Sequence, residues 1–219
     1  MVVKSRLIWF LLNHKSKKLL KDLKMLKLVF ACAPSKTVDD KLEYAFGLGD
    51  GLPWKHIKQD MSNFVARTKN TVMVMGAKTF ASLPRLLPDR THVVVTDMAR
   101  KLPRTKTNEL ARFYITQAEF ITLVTGTEIN LFSPATDVPF KLSTEHVDVS
   151  VIGGPALLKQ ALPYADEIVM TKIIKKCRVN SDVQLDKDFV QDIMLQRSMV
   201  ESHYYRIDEL TEITESVYK

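Results

Sequence analysis

Gly51-Leu52-Pro53-Trp54 is followed by a segment whose apolar side chains recur at helical spacing: Ile57, Met61, Phe64 and Val65. Asp60 lies four residues before Phe64, so a helix places both on one side, one turn apart. A carboxylate beside an apolar face is unfavourable unless it has a binding partner. Asp60 is therefore a candidate site residue, although a solvated acid in the first turn of a helix, favoured by the helix dipole, explains the same spacing.

The composition is that of one globular domain, because 219 residues with 46% apolar content suffice to bury a full core. The formal net charge is +7, but residues 1–24 hold seven basic side chains against one acidic side chain, and the rest of the chain is nearly neutral. A basic groove on the domain is not expected, and we predict no nucleic-acid partner.

The first 24 residues differ in charge and pattern from everything after Met25. Two interpretations stay open: a basic extension that contacts a partner or an anionic surface, or a stretch upstream of the true start at Met25. The domain proper is then 25–219. The apolar run 7–12 is too short to span a membrane, and we predict no membrane partner.

Cys32 and Cys177 are the two cysteines, and their spacing suits neither a metal site nor a disulfide framework. We predict two reduced thiols, no metal and a cytoplasmic location, because disulfides persist in oxidising compartments.

Beyond Met25 the chain alternates between strand-like and helical patterns, which predicts a single-domain α/β fold. Several predicted strands are apolar on every residue, as is typical of a sheet covered on both faces. We predict a central, mostly parallel mixed β-sheet of about eight strands, flanked by about four helices. The predicted strands are 26–33, 71–76, 91–96, 112–116, 149–153 and 167–174, and the predicted helices are 57–68, 78–83, 117–125 and 155–162.

Three segments fall outside this alternation. Residues 199–207 and 211–219 alternate weakly, which predicts an antiparallel hairpin at the sheet edge. Residues 126–148 contain one glycine and two prolines without a clear period, so we predict a surface insertion there.

Two glycine-containing corners follow predicted strands. Residues 151–155 run from a strand into a helix with Pro155 at its first position, and residues 75–79 repeat the arrangement with an added lysine and hydroxyl. Bare backbone admits a ligand closely, and N–H groups at a helix start attract anions. Neither corner has P-loop or G-x-G-x-x-G spacing. Each alone fits a plain tight turn, whereas both in one α/β domain favour an extended phosphate ligand such as a dinucleotide.

From Met25 onward the chain resembles dihydrofolate reductase. The sequences of residues 45–54 and 214–219 are similar to those of the T-even bacteriophage members in particular. The resemblance implies a dihydrofolate reductase-like fold. It also implies reduction of 7,8-dihydrofolate to 5,6,7,8-tetrahydrofolate by hydride transfer from NADPH, in support of thymidylate and nucleotide synthesis. The motifs occur in order along almost the whole remaining chain: 28–33, 47–54, Asp60 with Phe64, 74–79, 87–90, 151–155 and Thr171.

The resemblance implies three catalytic residues: Asp60, Trp54 and Thr171. One ionised carboxylate can accept both a ring N–H and an exocyclic amine of a pterin, and Thr171 is similar to the family threonine that bonds this carboxylate. A carboxyl in apolar surroundings has a raised pKa, so Asp60 is expected to promote proton transfer to ring nitrogen 5, through a water held by Trp54. Trp54 also fits a plain core residue.

The implied substrate contacts are apolar walls around the pterin and benzoyl rings and one arginine. Arg90 matches the arginine that binds the glutamate α-carboxylate, for which a planar guanidinium is well suited. The implied substrate-binding set is Val29, Phe30, Asp60, Phe64, Leu83, Leu87, Arg90, Ile152 and Thr171.

The implied cofactor contacts include a glycine-rich loop that can close and reopen. Four positions depart from the family pattern. Leu158 replaces an aromatic residue near the nicotinamide, and Pro155 replaces a glycine after the Gly-Gly pair. Ala77 replaces a basic contact to the adenosine 2′-phosphate, and Asp97 replaces a basic or hydroxyl residue. NADH is therefore an alternative to NADPH, unless Arg100 or Lys101 supplies the missing charge. The implied cofactor-binding set is Ala31, Phe46, Gly47, Gly49, Asp50, Gly51, Gly76, Lys78, Thr79, Thr96, Ile152, Gly153, Gly154, Pro155, Ala156 and Leu157.

Two other functions stay open. A reductase of the same fold acting on a pyrimidine intermediate of riboflavin synthesis would not need both Asp60 and Arg90. A structural or virion-associated protein retaining the fold would use residues 1–24 and 126–148 as contact surfaces. We predict a monomer or homodimer in the cytoplasm, which is the host cytoplasm if the protein is viral.

Overall fold

The computed structural model describes residues 24–36, 39 and 41–219, so the predicted extension lies outside the described residues except for Lys24. The strands of the described part are β1 (Leu26–Lys36), β2 (Leu42–Gly47), β3 (Val72–Gly76), β4 (Thr91–Val95), β5 (Phe113–Ile115), β6 (Ile129–Leu131), β7 (Phe140–Leu142), β8 (Val149–Gly153), β9 (Glu167–Lys175), β10 (Val183–Leu185), β11 (Met199–Arg206) and β12 (Thr211–Tyr218). Its helices are α1 (Lys58–Thr68), α2 (Ala77–Ser82), α3 (Gln117–Val124), α4 (Pro155–Ala161) and α5 (Lys187–Gln196).

The described strands form one ten-stranded mixed sheet and a separate two-stranded sheet of β6 and β7. Along the main sheet the order is β11-β12-β9-β1-β8-β3-β4-β5, and the run from β9 to β5 is parallel throughout. The terminal strands β11 and β12 form the predicted antiparallel hairpin at one edge. The predicted α/β fold with a mostly parallel mixed sheet is confirmed, with more strands than expected.

Helices cover both faces of this sheet, which explains why β3 and β4 are apolar on nearly every residue. One face packs against α3, α4 and α5 and receives Leu28 and Phe30 of β1. The opposite face receives Val29 and packs against Phe64 of α1 and Phe80 of α2. Because successive residues of a strand point to opposite faces, β1 contributes to both layers.

Four strands and one helix were missed by the periodicity: β2, β6, β7, β10 and α5. Strand β1 extends to Lys36 because β2 pairs with its second half, and β2 in turn pairs with β10. These short strands carry glycine or polar residues and resemble loops. Helix α5 was recognisable, because the Asp186 side chain caps its first turn and Phe189 and Ile193 recur one turn apart on its buried side.

The segment 126–148 contains the β6 and β7 hairpin. Its apolar residues Ile129, Leu131 and Leu142 are buried against the main core, and the backbone of Phe132 bonds that of Tyr114 in β5. Strands of three residues are too short to show a period. Part of this predicted surface insertion therefore belongs to the packed core.

We expect Ser150→Ala to stabilise the fold. Ser150 of β8 is fully buried, and its hydroxyl has no hydrogen-bond partner among the described residues. Removing this desolvated group while keeping Cβ should raise the free energy of unfolding by about 1 kcal/mol in urea titrations. Ser216→Ala is the matched control, since the buried Ser216 hydroxyl lies 3.3 Å from that of Ser202 and its loss should bring no gain. A less stable Ser150→Ala protein would contradict the expectation.

Candidate active site

Helix α1 carries Asp60 in its first turn and lies against β1. The Asp60 side chain is buried, with Asp60 only 6% exposed, and this excludes the alternative of a solvated first-turn acid. Phe64, one turn further on, packs on the apolar cluster that contains Val29. The sequence therefore folds a carboxylate into the layer between a helix and the sheet.

Burial is the main influence on the charge of Asp60. It raises the pKa of this carboxyl from 3.8 to about 6. The indole N–H of Trp54 and the charge of His56 oppose the rise, whereas the carboxylate of Glu215 adds to it. An acid with a pKa near 6 both accepts and releases protons close to neutral pH, which suits a general acid–base role.

The Trp54 ring is a core residue, as one of the two interpretations expects. Its ring belongs to a buried cluster with Ala33, Ala45 and Ile173, and the residue is 7% exposed. Its Nε1–H lies near enough to Asp60 to favour the carboxylate, but it makes no hydrogen bond of good geometry with any described residue. Because buried indole N–H groups normally find an acceptor, this donor fits a water or ligand atom next to Asp60.

Thr171 lies in a row of three residues across neighbouring strands. It stands opposite Ala31 of β1 on one side and opposite Glu215 of β12 on the other. Residues directly opposite one another share a face of the sheet. Thr171 is buried, so its hydroxyl belongs to the same enclosed layer as the Glu215 carboxylate.

Most of the predicted apolar substrate contacts are brought together. One cluster contains or contacts Val29, Ile152, Phe64, Leu83 and Leu87. The exception is a residue of β1 on the opposite sheet face.

Phe30 is that exception. Its ring packs on Phe189 of α5 with centroids 5.8 Å apart, within the other core. Neighbouring residues of a strand point to opposite faces, so Val29 and Phe30 cannot both line one pocket with their side chains. The predicted role of the Phe30 ring as a pocket wall is corrected on this ground.

Arg90 is anchored to the far end of α1. Its Nε donates to Thr68 Oγ1 at 3.0 Å, its Nη2 to the Val65 carbonyl at 2.6 Å and its Nη1 to the Pro88 carbonyl at 2.6 Å. A guanidinium has five N–H donors, so two remain available. Eight residues of helix separate Asp60 from Thr68, or about 12 Å, which suits an elongated ligand with a heterocycle at one end and an acid at the other.

The two glycine corners lie side by side at the carboxyl ends of β3 and β8. A Cβ on Gly76 would lie 3.5 Å from the backbone nitrogen of Gly154, and one on Gly153 would lie 3.1 Å from the Phe46 ring and 3.4 Å from Thr79 Oγ1. Gly153 has φ +137° and its bond to Gly154 is cis. This bare backbone edge fits an extended phosphate ligand.

The two helices that follow these corners hold the remaining predicted residues of this edge. α2 begins directly after Gly76, so Lys78 and Thr79 lie in its first turn, and α4 begins with Pro155, Ala156 and Leu157. The Leu157 side chain also packs into the main core.

The loop between β2 and Trp54 follows Phe46, whose ring lies next to the Gly153 corner. Leu48 and Gly51 exchange two backbone hydrogen bonds of 3.1 Å across a tight turn, with Gly49 at φ +55°. Asp182 fixes the turn, because its carboxylate accepts from the Gly49 N–H at 2.9 Å and its N–H donates to Gly47 at 3.1 Å. The backbone carbonyl of Asp50 accepts a hydrogen bond from Lys106 Nζ at 3.0 Å.

The end of β4 provides the remaining predicted cofactor contact. Thr96 follows directly on Val95, which pairs with Gly76. Asp97 and Arg100 form an exposed ion pair, with Nε to Oδ2 at 3.2 Å. The Asp97 charge at this edge is therefore accompanied by a cation.

The sequence reasoning missed two charged residues of the site, Arg67 and Glu215, which form an ion pair at 2.7 Å. Arg67 follows Asp60 by seven residues on one face of α1, and Glu215 alternates with the buried Ile213 and Val217 in β12. The position of Glu215 among apolar residues on one face of a predicted strand could have identified it from the sequence.

The described residues were compared with the requirements of a metal site and of a membrane-spanning helix. They contain no group of three or more His, Cys, Asp or Glu side chains placed to hold a metal ion, and none of their helices is long and apolar enough to cross a membrane. Cys32 and Cys177 are both free thiols.

The fold and this geometry define an α/β enzyme with adjoining sites for an anionic nucleotide and a small heterocycle. The family profile of dihydrofolate reductase matches residues 38–189. Dihydrofolate reductase type 8 of Escherichia coli is 30% identical over 170 residues, covering 76% of this chain and 90% of the relative. Type 9 of Escherichia coli is 31% identical over 140 residues, covering 64% and 68%.

Among solved structures, a dihydrofolate reductase from Enterococcus faecalis in complex with NADP(H) and RAB-propyl matches with a TM-score of 0.59 at 20% identity, covering 89% of this chain and 95% of that one. This likeness concerns the fold. The chain belongs to the dihydrofolate reductase family. It is thus an oxidoreductase that reduces dihydrofolate and uses NADPH.

We expect Asp60→Asn to be more stable than the parent at neutral pH. Since folding raises the pKa of Asp60 from 3.8 to about 6, the folded state binds the extra proton between these values, and its stability falls as pH rises through them. Asparagine removes this cost, so the variant should gain about 3 kcal/mol at pH 7 and about nothing below pH 4. Urea unfolding at both pH values measures the difference.

Asp89→Asn is the control for this expectation. Asp89 is exposed and has φ +59°, a conformation that asparagine also tolerates. Its stability difference should stay near zero at both pH values. An Asp60→Asn protein that gains nothing at pH 7 would show that the carboxylate is not held at a cost.

Proposed function

We propose that dihydrofolate is reduced in the pocket bounded by α1, β1 and β8, with Asp60 as the central residue. The observation that carries this proposal is a buried carboxylate at one end of an apolar cluster, beside the paired glycine corners. The reaction consumes one dihydrofolate, one NADPH and one proton and yields tetrahydrofolate and NADP⁺. The residues of the site would orient the two reactants and supply the proton.

Asp60 would accept the ring N–H and the exocyclic amine of the pterin, with the Thr171 hydroxyl bonding the same carboxylate. Val29, Phe64 and Ile152 would contact the flat ring and exclude water from it. Such positioning of two reactants supplies up to roughly 7–11 kcal/mol of the barrier reduction.

The proton for ring nitrogen 5 would enter by way of Asp60. A pKa of about 6 leaves part of the carboxyl population protonated near neutral pH. The unpartnered Trp54 N–H is placed to hold the water that passes the proton on. Hydride transfer should therefore slow as pH rises through about 6, because the protonated form is lost.

Three N–H groups of Arg90 bond the protein, and the two that remain would bind the α-carboxylate of the glutamate tail. Leu83 and Leu87, between α2 and Arg90, would line the path of the benzoyl ring. Helix α1 would thus set the distance between the two polar ends of the substrate.

NADPH, when bound, supplies the hydride from carbon 4 of its nicotinamide. Ala31 and Ile152 would face the nicotinamide, and the loop 47–51 would close over it. The glycine corners, with Lys78 and Thr79, would hold the pyrophosphate.

Arg100 would contact the 2′-phosphate of the adenosine, in place of the basic residue that Ala77 replaces. Its present ion pair with Asp97 is exposed and exchangeable. Arg100 would thus give the enzyme its preference for NADPH over NADH.

The finer assignments rest on the sequence. The T-even bacteriophage type is supported by residues 45–54 and 214–219, and with it a place in the host cytoplasm. The protein would act as a monomer or homodimer on a small molecule, without nucleic acid or membrane. We favour this function over a pyrimidine reductase because of the family match. A second, virion-associated role stays a separate prediction.

Absorbance at 340 nm, followed with dihydrofolate and NADPH, tests the function. The parent protein should oxidise NADPH only when dihydrofolate is present. Asp60→Asn should fold but lose about 10²-fold or more in turnover, because the proton donor is gone. Asp89→Asn should turn over like the parent. An inactive parent, or a fully active Asp60→Asn variant, would overturn the proposal.

Arg100→Gln should impair the use of NADPH selectively. Loss of a charged hydrogen bond to phosphate should raise the KM for NADPH about tenfold and leave that for NADH unchanged. Lys101→Gln tests the neighbouring cation, and Arg206→Gln on β11, at the opposite end of the sheet from β4, is the control. Equal changes for both cofactors in Arg100→Gln would exclude a 2′-phosphate contact.

A further inference from the structure

The turn that carries Leu87 and Arg90 is closed by a histidine side chain. His92 is the second residue of β4, and its Nε2 atom lies 3.2 Å from the backbone nitrogen of Leu87. Asp89, in the middle of this turn, has φ +59°. Residues 83–90 form neither helix nor strand, so a side chain supplies the acceptor that the Leu87 N–H needs.

This contact defines the protonation state of the His92 ring. A backbone N–H donates, so Nε2 is the acceptor and carries no proton. The ring is therefore neutral, with its proton on Nδ1. His92 is 3% exposed, and its ring packs against that of Phe80 in α2 with centroids 6.2 Å apart. Burial thus holds the acceptor atom in a fixed place beside the turn.

The charged groups that act on the His92 ring come from the turn and from the segment before β5. Burial is the largest influence and lowers the pKa of His92, and the charge of Arg90 lowers it further. A hydrogen bond with the Arg90 backbone and the charge of Glu109 act in the opposite sense, and Phe80 of α2 is uncharged. The net pKa lies below the ordinary value, in agreement with the neutral ring that the contact requires.

Two successive hydrogen bonds connect His92 with the Arg90 guanidinium. The Leu87 N–H donates to His92, and the carbonyl of the next residue, Pro88, accepts from Arg90 Nη1 at 2.6 Å. The other two bonds of the guanidinium run to the end of α1. The turn is thus held between β4 and α1, and the Leu87 side chain between these attachments contacts the apolar cluster of the proposed pocket.

We propose that His92, in its neutral form, is a positioning residue for the benzoylglutamate end of the substrate. It holds the turn in the conformation in which Leu87 faces the benzoyl ring and Arg90 faces the α-carboxylate. This inference rests on the proposed function of Leu87 and Arg90. His92 acts through the Leu87 backbone and takes no part in hydride or proton transfer.

His92→Met tests the proposal, because methionine offers the Leu87 N–H no strong acceptor. The KM for dihydrofolate should rise about tenfold with kcat nearly unchanged, since the bond that fixes the turn is lost. A 7,8-dihydropterin without the benzoylglutamate tail should keep the parent KM and kcat. His92→Gln places an acceptor oxygen near the position of Nε2 and should restore the parent KM for dihydrofolate.

Ser143→Ala is the matched control. The buried Ser143 hydroxyl accepts from the Glu145 N–H at 3.1 Å, so this change removes a comparable contact from the turn after β7. It should leave the KM for both substrates at the parent values. An equal loss with both substrates in His92→Met, or no loss with dihydrofolate, would overturn the proposal. A parent protein inactive with both substrates would overturn the proposed function instead.

NMR decides the protonation state without any substrate. Long-range proton–nitrogen-15 correlation of the histidine rings, with His92→Gln for assignment, should show His92 as the Nδ1–H tautomer at neutral pH. A proton on Nε2 would overturn the proposal, whether or not the enzyme assay succeeds.

The pH dependence decides if His92→Met does not fold. Protonation of Nε2 at low pH removes the acceptor, so the KM for dihydrofolate divided by that for the tail-less pterin should rise in the parent as pH falls. The ratio should stay flat in His92→Gln, which does not titrate. Titration of Asp60 cancels in this ratio, because both substrates share the pterin. A flat ratio in the parent would contradict the proposal.

Discussion

The burial of one ionisable carboxyl between a helix and a sheet is the constraint on which the site depends. Asp60 lies in the first turn of α1, where the layer beneath is apolar except for Thr171 and Glu215. A lone carboxylate there is costly, and burial outweighs the opposing influences of Trp54 and His56 on its pKa. The fold therefore spends stability on a group whose proton affinity has been raised, which is typical of a functional acid.

Helix α1 links this acid to the rest of the site. Its first turn holds Asp60 and its middle holds Phe64. In its last turn Arg67 forms an ion pair with Glu215 of β12, and Thr68 accepts a hydrogen bond from Arg90. A rigid helix fixes the spacing of these groups better than a loop does. These two polar contacts anchor the end of the helix that carries the buried acid at its start.

Much of this arrangement could be read from the sequence, and the missing parts have physical reasons. The spacing of Asp60 and Phe64, and the two glycine corners, predicted a ligand pocket because they depend on local geometry. The pairing of Arg67 with Glu215 depends on a contact between residues 148 positions apart. Phe30 was misassigned because its strand is apolar on both faces, and apolar character alone does not tell which face meets the ligand.

The two faces of the sheet divide stability and function between them. Three helices and the larger apolar cluster cover one face of the sheet. The rings of Phe30 and Phe189 pack together there, and side-chain caps stabilise the first turns of α3 and α5. Of the helices in the described part of the chain, α1 and the six-residue α2 pack on the other face, where Asp60 lies. The fold can accommodate the buried Asp60 carboxyl on this face because the apolar core on the opposite face stabilises the strands.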